Sequence, residues 1–309
     1  MSVKGTLLKD KVAVVTGSGQ GIGRAIAIAF TAEGARVITN SRKPGTEGGD
    51  ASTTAAEIKK AGGEAIAVFA DASKFQDAEK TIQTAVSSFG RIDILVNNAG
   101  ADAPKMIWNM GEEEWDLCVN SLLKGAFNCS KFACMRMREQ RGGRILNCSS
   151  TAWMGTVGHV NYGAAKAGIV GLTRAIAREM GRYGVTCNAF IPIAATRMTD
   201  NEAVKAGLKK RFEAGLITKA QYEDAINMPS PEGVVPLLVY LASHRGADIN
   251  GQVFHTEGGK IGFYSEPRLI RTVFKNYQKE GLFSQEELER FVPQMLSEVY
   301  TNPAPAEDK

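Results

Sequence analysis

Tyr162 and Lys166 stand four residues apart in a stretch of helical periodicity, Asn161–Arg182, so their side chains share one face. A free phenol titrates near ~10 and is a poor acid–base group at neutral pH. A neighbouring ammonium favours the phenolate, and a tyrosine tuned in this way exchanges a proton with a substrate oxygen. A second constellation lies near the N-terminus, in Thr16-Gly17-Ser18-Gly19-Gln20-Gly21-Ile22-Gly23. Gly17 permits a sharp turn, Gly21 lets the backbone approach a pyrophosphate, and Gly23 lets a helix pack closely on a strand. The spacing is GxxxGxG, and it lacks the lysine of a P-loop.

The elements that must position these groups follow from hydrophobic period. Lys11–Thr16 (KVAVVT) is a continuous β-branched run, the pattern of a strand buried on both faces, and Gly21–Glu33 then places apolar residues at helical spacing. The cycle repeats through strand Arg36–Thr39, helix Ala51–Ala61, strand Ala65–Ala70, helix Phe75–Phe89 and strand Ile92–Val96. A long helical segment at Glu112–Arg138, strand Arg144–Asn147, helix Asn161–Arg182 and strand Val185–Ile191 continue it. Alternating βαβ units predict one α/β domain, a doubly wound Rossmann-type parallel sheet with helices on both faces. Residues 194–229 are helical but follow no strand and are expected to form a substrate lid, with Met198, Leu208, Phe212, Leu216 and Ile217 as its apolar set. Residues 1–262 read as the dinucleotide-binding domain. Residues 263–309, beyond an expected last strand at Gln252–Thr256, read as a C-terminal helical extension that packs on a neighbouring subunit or over the substrate mouth.

Composition narrows the classes. The 309 residues hold 37 Lys+Arg against 33 Asp+Glu, and the resulting +4 is too small and too scattered for a nucleic-acid footprint. The longest apolar run, near Val234–Ala242, is far short of a bilayer span, and Met1–Gly5 has no signal-peptide core. Cys118, Cys129, Cys134, Cys148 and Cys187 form an odd set with no CxxC spacing, expected as reduced thiols in a cytoplasmic protein. Three scattered histidines give no expected metal site.

The glycine spacing resembles that of the short-chain dehydrogenase/reductase family. So do two later landmarks, Asn97-Asn98-Ala99-Gly100 after the fourth strand and Tyr162-Gly163-Ala164-Ala165-Lys166. The resemblance covers about residues 8–262 and implies about seven parallel strands, a nicotinamide cofactor and hydride transfer at a carbinol or carbonyl carbon. It implies cofactor contacts from Gly17, Gly19, Gln20, Gly21, Ile22 and Gly23, from Asp71 and Ala72, and from Asn98, Ala99 and Gly100. Tyr162, Lys166 and Thr196 complete that set. A homo-oligomer, dimer or tetramer, is expected.

The family also uses a serine on the substrate oxygen. Spacing to Tyr162 points to Ser149, whereas the register of Arg144–Ser150 points to Ser150. A loop absorbs a deletion more easily than a strand absorbs a slip, so Ser150 joins Tyr162 and Lys166 as the expected catalytic set. Where the family places an asparagine that links its lysine to water, this chain has Leu122. Either a distorted helix brings Asn120 in, or the relay is built differently. At the end of the second strand, where NAD enzymes carry an acidic residue, the chain has Ser41, then Arg42 and Lys43. A hydroxyl and cations suit a 2′-phosphate, which favours NADP(H), with NAD(H) as the alternative. Expected substrates are secondary alcohols or ketones, foremost 3-hydroxyacyl/3-oxoacyl thioesters. A steroid or aryl alcohol is the alternative, and a catalytically silent NAD(P)-binding scaffold or sensor is the non-enzymatic one.

Overall fold

The computed structural model describes residues 5–197, 199–215 and 217–296. Met198, Leu216 and the tail beyond residue 296 lie outside the described residues. The strands and helices follow in the order β1 (Val12–Val15), α1 (Gly21–Ala32), β2 (Arg36–Ser41), α2 (Ala51–Lys60), β3 (Glu64–Phe69), α3 (Phe75–Phe89) and β4 (Ile94–Asn97). Then come α4 (Glu112–Cys118), α5 (Gly125–Gln140), β5 (Gly143–Cys148), α6 (Val160–Met180), β6 (Val185–Pro192), α7 (Glu202–Glu213) and α8 (Lys219–Ile226). The first unit closes with α9 (Val235–Ala242), β7 (Val253–Glu257) and β8 (Lys260–Phe263). The sheet order is β3-β2-β1-β4-β5-β6-β7-β8, parallel throughout except for β8.

Both faces of the sheet are covered. In β1, Ala13 and Val15 join a core with α1 and α9, while Val12 and Val14 join the opposite core with α3, α5 and α6. The period-2 alternation of a strand sends neighbours to opposite faces, and helices on each side turn both faces into core. At the carboxyl end of the middle strands this core becomes polar. Asn97 on β4 pairs in register with Asn147 on β5 and donates to its side-chain oxygen at 2.8 Å. Asn97 also donates to Ser130 on α5 at 2.9 Å, and Asn147 donates to Thr173 on α6 at 2.9 Å. Two strands and two helices are thereby locked at the edge of the site.

Two expectations need correction. The sheet has eight strands rather than about seven, and Gln252–Thr256 is not its end. A hairpin through Gly258, whose φ of +49° has the sign that tight hairpin turns require, returns the chain as antiparallel β8. All four β8 residues are exposed, so no buried period marks this edge strand. Likewise, the single helix expected over Glu112–Arg138 is interrupted. At Val119–Lys124 it widens into a π-turn, with the Gly125 N–H donating to the Asn120 carbonyl five residues back.

The chain divides into two units, Met1–Tyr264 and Ser265–Lys309. Within the second are α10 (Tyr277–Glu280) and α11 (Gln285–Leu296). There Ser284 and Glu287 form a capping box, Lys275 pairs with Glu287, and Phe283 meets Phe291 edge-on at 6.1 Å.

Asn147→Ala would take one of two acceptors from the buried Asn97 amide and the donor from the Thr173 hydroxyl, which keeps its bond to the Ile169 carbonyl, and should cost ~1–3 kcal/mol of stability in a urea titration. A loss below ~1 kcal/mol would show that the asparagine pair does not hold the strands to the helices.

Candidate active site

The end of β5 decides which serine faces Tyr162. Ser149 is 1% exposed and turned toward α6, where its hydroxyl donates to the Lys166 carbonyl at 3.0 Å. Strand alternation puts Ser150 on the other side. There it caps the 3₁₀ turn Thr151–Met154, accepting from the Ala152 N–H at 3.3 Å, and its hydroxyl is near enough to the Tyr162 phenol to favour ionisation of that phenol. Lys166 lies one helical turn beyond Tyr162, with its ammonium 5.4 Å from the Tyr162 ring centroid. That ammonium donates to the Cys148 carbonyl at 2.7 Å. The structure thus brings Ser150, Tyr162 and Lys166 together and gives Ser149 a structural bond.

Burial changes the expected acidity. Desolvation pushes the Tyr162 phenol above its ordinary value, against the opposing pull of the Lys166 ammonium and the Ser150 hydrogen bond. For Lys166, burial disfavours the charge, but loss of its proton is pushed above the ordinary value by Cys148 and Tyr162, whose ionised forms at high pH attract the ammonium. In the protein by itself the pair is therefore a neutral phenol beside a charged lysine.

The glycine string forms a cradle at the start of α1. Gly17 and Gly21 have φ of +63° and +55°, in the region that favours glycine. A Cβ on Gly17 would sit 2.8 Å from the Ala99 Cα, and one on Gly23 would overlap the Gly17 carbonyl. Gly19 backs onto Asp50, with 2.7 Å from its would-be Cβ to the Asp50 Cα. Gln20, the N-cap of α1, makes no side-chain capping bond, so the positive helix end at Gly21 and Ile22 faces the cradle. Asn98 latches the cradle to the turn after β4, donating to the Thr16 and Gly17 carbonyls at 3.2 and 3.1 Å. Such a surface fits the pyrophosphate of a dinucleotide, because the glycines let the backbone turns close up and the uncapped start of α1 favours an anion.

The remaining expected contacts surround this cradle. Thr196 lies beside Gly21, whose would-be Cβ is 3.5 Å from the Thr196 methyl. Asp71 accepts from the Ser73 N–H and hydroxyl at 3.0 and 2.7 Å, which shapes the loop carrying Ala72. Ser41 accepts from the Ala51 N–H at 3.0 Å, so its hydroxyl is engaged at the start of α2 and only Arg42 and Lys43 project outward as exposed cations. Leu122, at the asparagine position, is 3% exposed inside the π-turn and packs against Gly100, where an added Cβ would overlap it. Among the described residues, no three metal-ligating groups cluster. Among them, too, no helix is long and apolar enough to cross a membrane.

Three positioning residues escape a reading by motif. The Thr16 hydroxyl accepts from the Asn98 and Ala99 N–H groups at 3.0 and 3.1 Å. Asn128 donates to the Ala72 and Ser73 carbonyls at 3.0 and 3.1 Å, and Asn161, fully buried, donates to the Ala103 and Glu114 carbonyls at 2.9 and 2.8 Å. Thr16 and Asn161 adjoin recognised motifs, which was a usable signal. Asn128 stands in a helix with nothing local to mark it.

Comparison with known proteins agrees with this geometry. A family profile described as short chain dehydrogenase matches residues 11–206. A 3-oxoacyl-[acyl-carrier-protein] reductase of Synechocystis sp. is 38% identical over 261 residues, which span 84% of this chain and 100% of that protein. A hydroxyacyl-CoA dehydrogenase of Mycobacterium tuberculosis is 38% identical over 276 residues, 86% of this chain and 83% of that one. The crystal structure of a short chain dehydrogenase from Mycobacterium avium superposes with a TM-score of 0.80 at 38% identity, covering 98% of this chain and 100% of its own.

The two serines separate by mutation. Ser150→Ala should lower turnover by ~10²–10³, the usual loss for one donor to a developing oxyanion. Ser149→Ala should chiefly lower thermal stability. Steady-state kinetics and melting curves on both variants check this, and the reverse ranking of turnover would overturn the assignment.

Proposed function

The chain belongs to the short chain dehydrogenase family and is an oxidoreductase that uses a nicotinamide cofactor, and from that premise we propose that it interconverts 3-hydroxyacyl and 3-oxoacyl thioesters. The observation that carries the reading is the cluster of the Tyr162 phenol, the buried Lys166 ammonium 5.4 Å from its ring and held by the Cys148 carbonyl, and Ser150 at the end of β5. The thioester is supported by the names of two relatives, of which this chain spans 100% and 83%.

A bound nicotinamide would supply or accept the hydride at the substrate's carbonyl or carbinol carbon. The chain's residues manage the oxygen. Ser150 and Tyr162 present two hydroxyl donors to it, and Tyr162 gives up its proton as negative charge grows there. The Lys166 ammonium, held by the Cys148 carbonyl, stabilises the phenolate that remains. In the oxidative direction the same phenolate takes the proton back. Gly17, Gly19, Gln20, Gly21, Ile22 and Gly23 would hold the pyrophosphate. Asp71, Ala72 and Asn98 to Gly100 would flank the adenosine and the ribose, with Thr196 beside the nicotinamide.

NADP(H) is the proposed preference. The acidic side chain beside the cradle, Asp50, is committed to capping α2, accepting from the Ser52, Thr53 and Gly45 N–H groups at 2.8, 3.0 and 2.8 Å. The Ser52 hydroxyl and these N–H groups hold its carboxyl well below the usual range. Arg42 and Lys43 are left to meet a 2′-phosphate. The segment 194–229 is proposed as the substrate lid, with Phe212 and Tyr222 stacked at 5.1 Å between its two helices. A homo-oligomer in the cytoplasm is the proposed working form; the five free thiols bear on the compartment, which fractionation tests, and light scattering tests the oligomer.

The direct test follows nicotinamide absorbance with a 3-oxoacyl N-acetylcysteamine thioester, a steroid ketone and an aryl ketone; preference for either ketone would displace the thioester reading. Tyr162→Phe should lower turnover by ~10²–10⁴ with cofactor affinity nearly intact, and a variant retaining a tenth of wild-type turnover would remove Tyr162 from the chemistry. Arg42→Ala should weaken NADP(H) by ~1.5–3 kcal/mol in calorimetric titration and leave NAD(H) almost unchanged. Equal loss for both would detach Arg42 from the 2′-phosphate.

A further inference from the structure

The turn that begins at Ser150 is short and closed on itself. Ser150 has extended backbone, and the 3₁₀ turn Thr151–Met154 follows it at once. The Trp153 N–H donates to the carbonyl of Ser150 itself at 3.0 Å, and the Gly155 N–H donates to the Ala152 carbonyl at 3.0 Å. With the Ala152 N–H bond to the Ser150 hydroxyl, the hydrogen bonds of residues 151–155 to described residues all run within the turn. Ser149 ties down the strand before Ser150, but the turn after it is held to the body by packing.

That packing has two parts. A Cβ on Gly163, the residue after Tyr162, would sit 2.9 Å from the Ala152 carbonyl oxygen, so α6 and the turn meet through backbone. The second part is the Trp153 side chain. It packs on a small cluster made by Val170 of α6, Ala189 and Ile191 of β6, and Val253 of β7. Its Nε1 is buried with no hydrogen-bond partner among the described residues. An indole N–H can only donate, so shape rather than a polar bond keeps the ring in its seat.

Tyr264 packs on the same cluster and meets the Trp153 ring edge-on, with centroids 5.6 Å apart and planes at 88°. Ring quadrupoles favour that arrangement. The hairpin carries Tyr264 there: Phe263 of β8 pairs with Phe254 of β7, and the Tyr264 N–H then donates to the Val253 carbonyl at 2.9 Å. Among residues 258–264 Tyr264 alone is not exposed, so the returning arm of the hairpin reaches the interior through this one side chain.

We propose that Trp153 and Tyr264 are positioning residues for the reaction. The Tyr264 ring keeps Trp153 seated, and Trp153, bonded to the Ser150 carbonyl, keeps the Ser150 hydroxyl beside the Tyr162 phenol. This rests on the role given to Ser150 above and not on the identity of the substrate, so any carbonyl compound that the protein reduces reports on it.

The first test is a double-mutant cycle in the full chain. Tyr264→Ala should lower kcat by about tenfold or more, the scale of a misplaced reacting group, with cofactor affinity unchanged in calorimetric titration. In a Ser150→Ala background the same substitution should cost less than about twofold, because the group that it misplaces is gone. Tyr264→Phe and Trp153→Phe keep a ring in place and should retain most of the turnover. Equal losses from Tyr264→Ala in the two backgrounds, or a Tyr264→Phe variant as slow as Tyr264→Ala, would overturn the proposal.

A second readout does not depend on turnover. Amide hydrogen exchange, followed by NMR, reports on the Trp153 N–H that bonds the Ser150 carbonyl. Exchange there should speed up in Tyr264→Ala and stay slow in Tyr264→Phe, with the amides of β5 unchanged in both. Unaltered exchange at Trp153 in Tyr264→Ala would show that Tyr264 does not hold the turn. If exchange rises as expected but Ser150→Ala alone leaves turnover intact, the role of Ser150 fails and the placement of the turn by Tyr264 stands. If Ser150→Ala is impaired while exchange at Trp153 is unmoved, the serine keeps its role and the positioning proposal fails.

Discussion

Lys166 carries its ammonium into the interior, where only 3% of the residue remains exposed. A charge in that position costs several kcal/mol unless fixed partners surround it. The partners come from the end of β5, where the Cys148 carbonyl accepts from the ammonium and Ser149 donates back to the Lys166 carbonyl. This two-way attachment fixes the strand end against α6. It also fixes Ser150, because the residue after Ser149 must turn to the opposite side. The Asn97–Asn147–Thr173 chain supports the same junction from below, so strand register, helix position and proton chemistry share one set of bonds.

The dinucleotide cradle depends on a different constraint, close approach of backbone to backbone. Gly17 meets Ala99, Gly19 meets Asp50, and Gly23 meets Gly17, so each glycine clears room for a neighbouring segment as well as for a ligand. Thr16 and Asn98 then sew the two turns together. Asp50 illustrates how a nearby charge can be removed from ligand recognition without being removed from the sequence. Its carboxylate is committed to the helix start, and the outward-facing charges at the end of β2 are positive.

The departure at Leu122 is matched by a departure in backbone. The π-turn at Val119–Lys124 adds a residue to the helical circuit, which rotates everything before it relative to a regular helix. Leu122 sits buried on Gly100, and the Asn120 carbonyl bonds five residues onward rather than four. The helix is distorted here, while the hydrogen bond described for the Lys166 ammonium goes to the Cys148 carbonyl and not to Asn120. Burial of Leu122 there is apolar packing, so the residue itself offers no hydrogen-bonding group to Lys166.

Local spacing was enough to determine the alternation of strands and helices, the glycine cradle, and the four-residue separation of Tyr162 and Lys166. Each depends on neighbours in the chain, through the strand period, the helix period or the special dihedrals of glycine. Tertiary structure alone decided the rest. β8 has no buried face and therefore no period to read, and the π-turn breaks the helical period within an otherwise regular helix. Whether the phenol of Tyr162 is raised or lowered depends on burial, which is a sum over contacts from distant segments. The Trp153–Tyr264 contact is of the same kind. Nothing in either local sequence marks it, and only the return of the chain as β8 brings the two rings together.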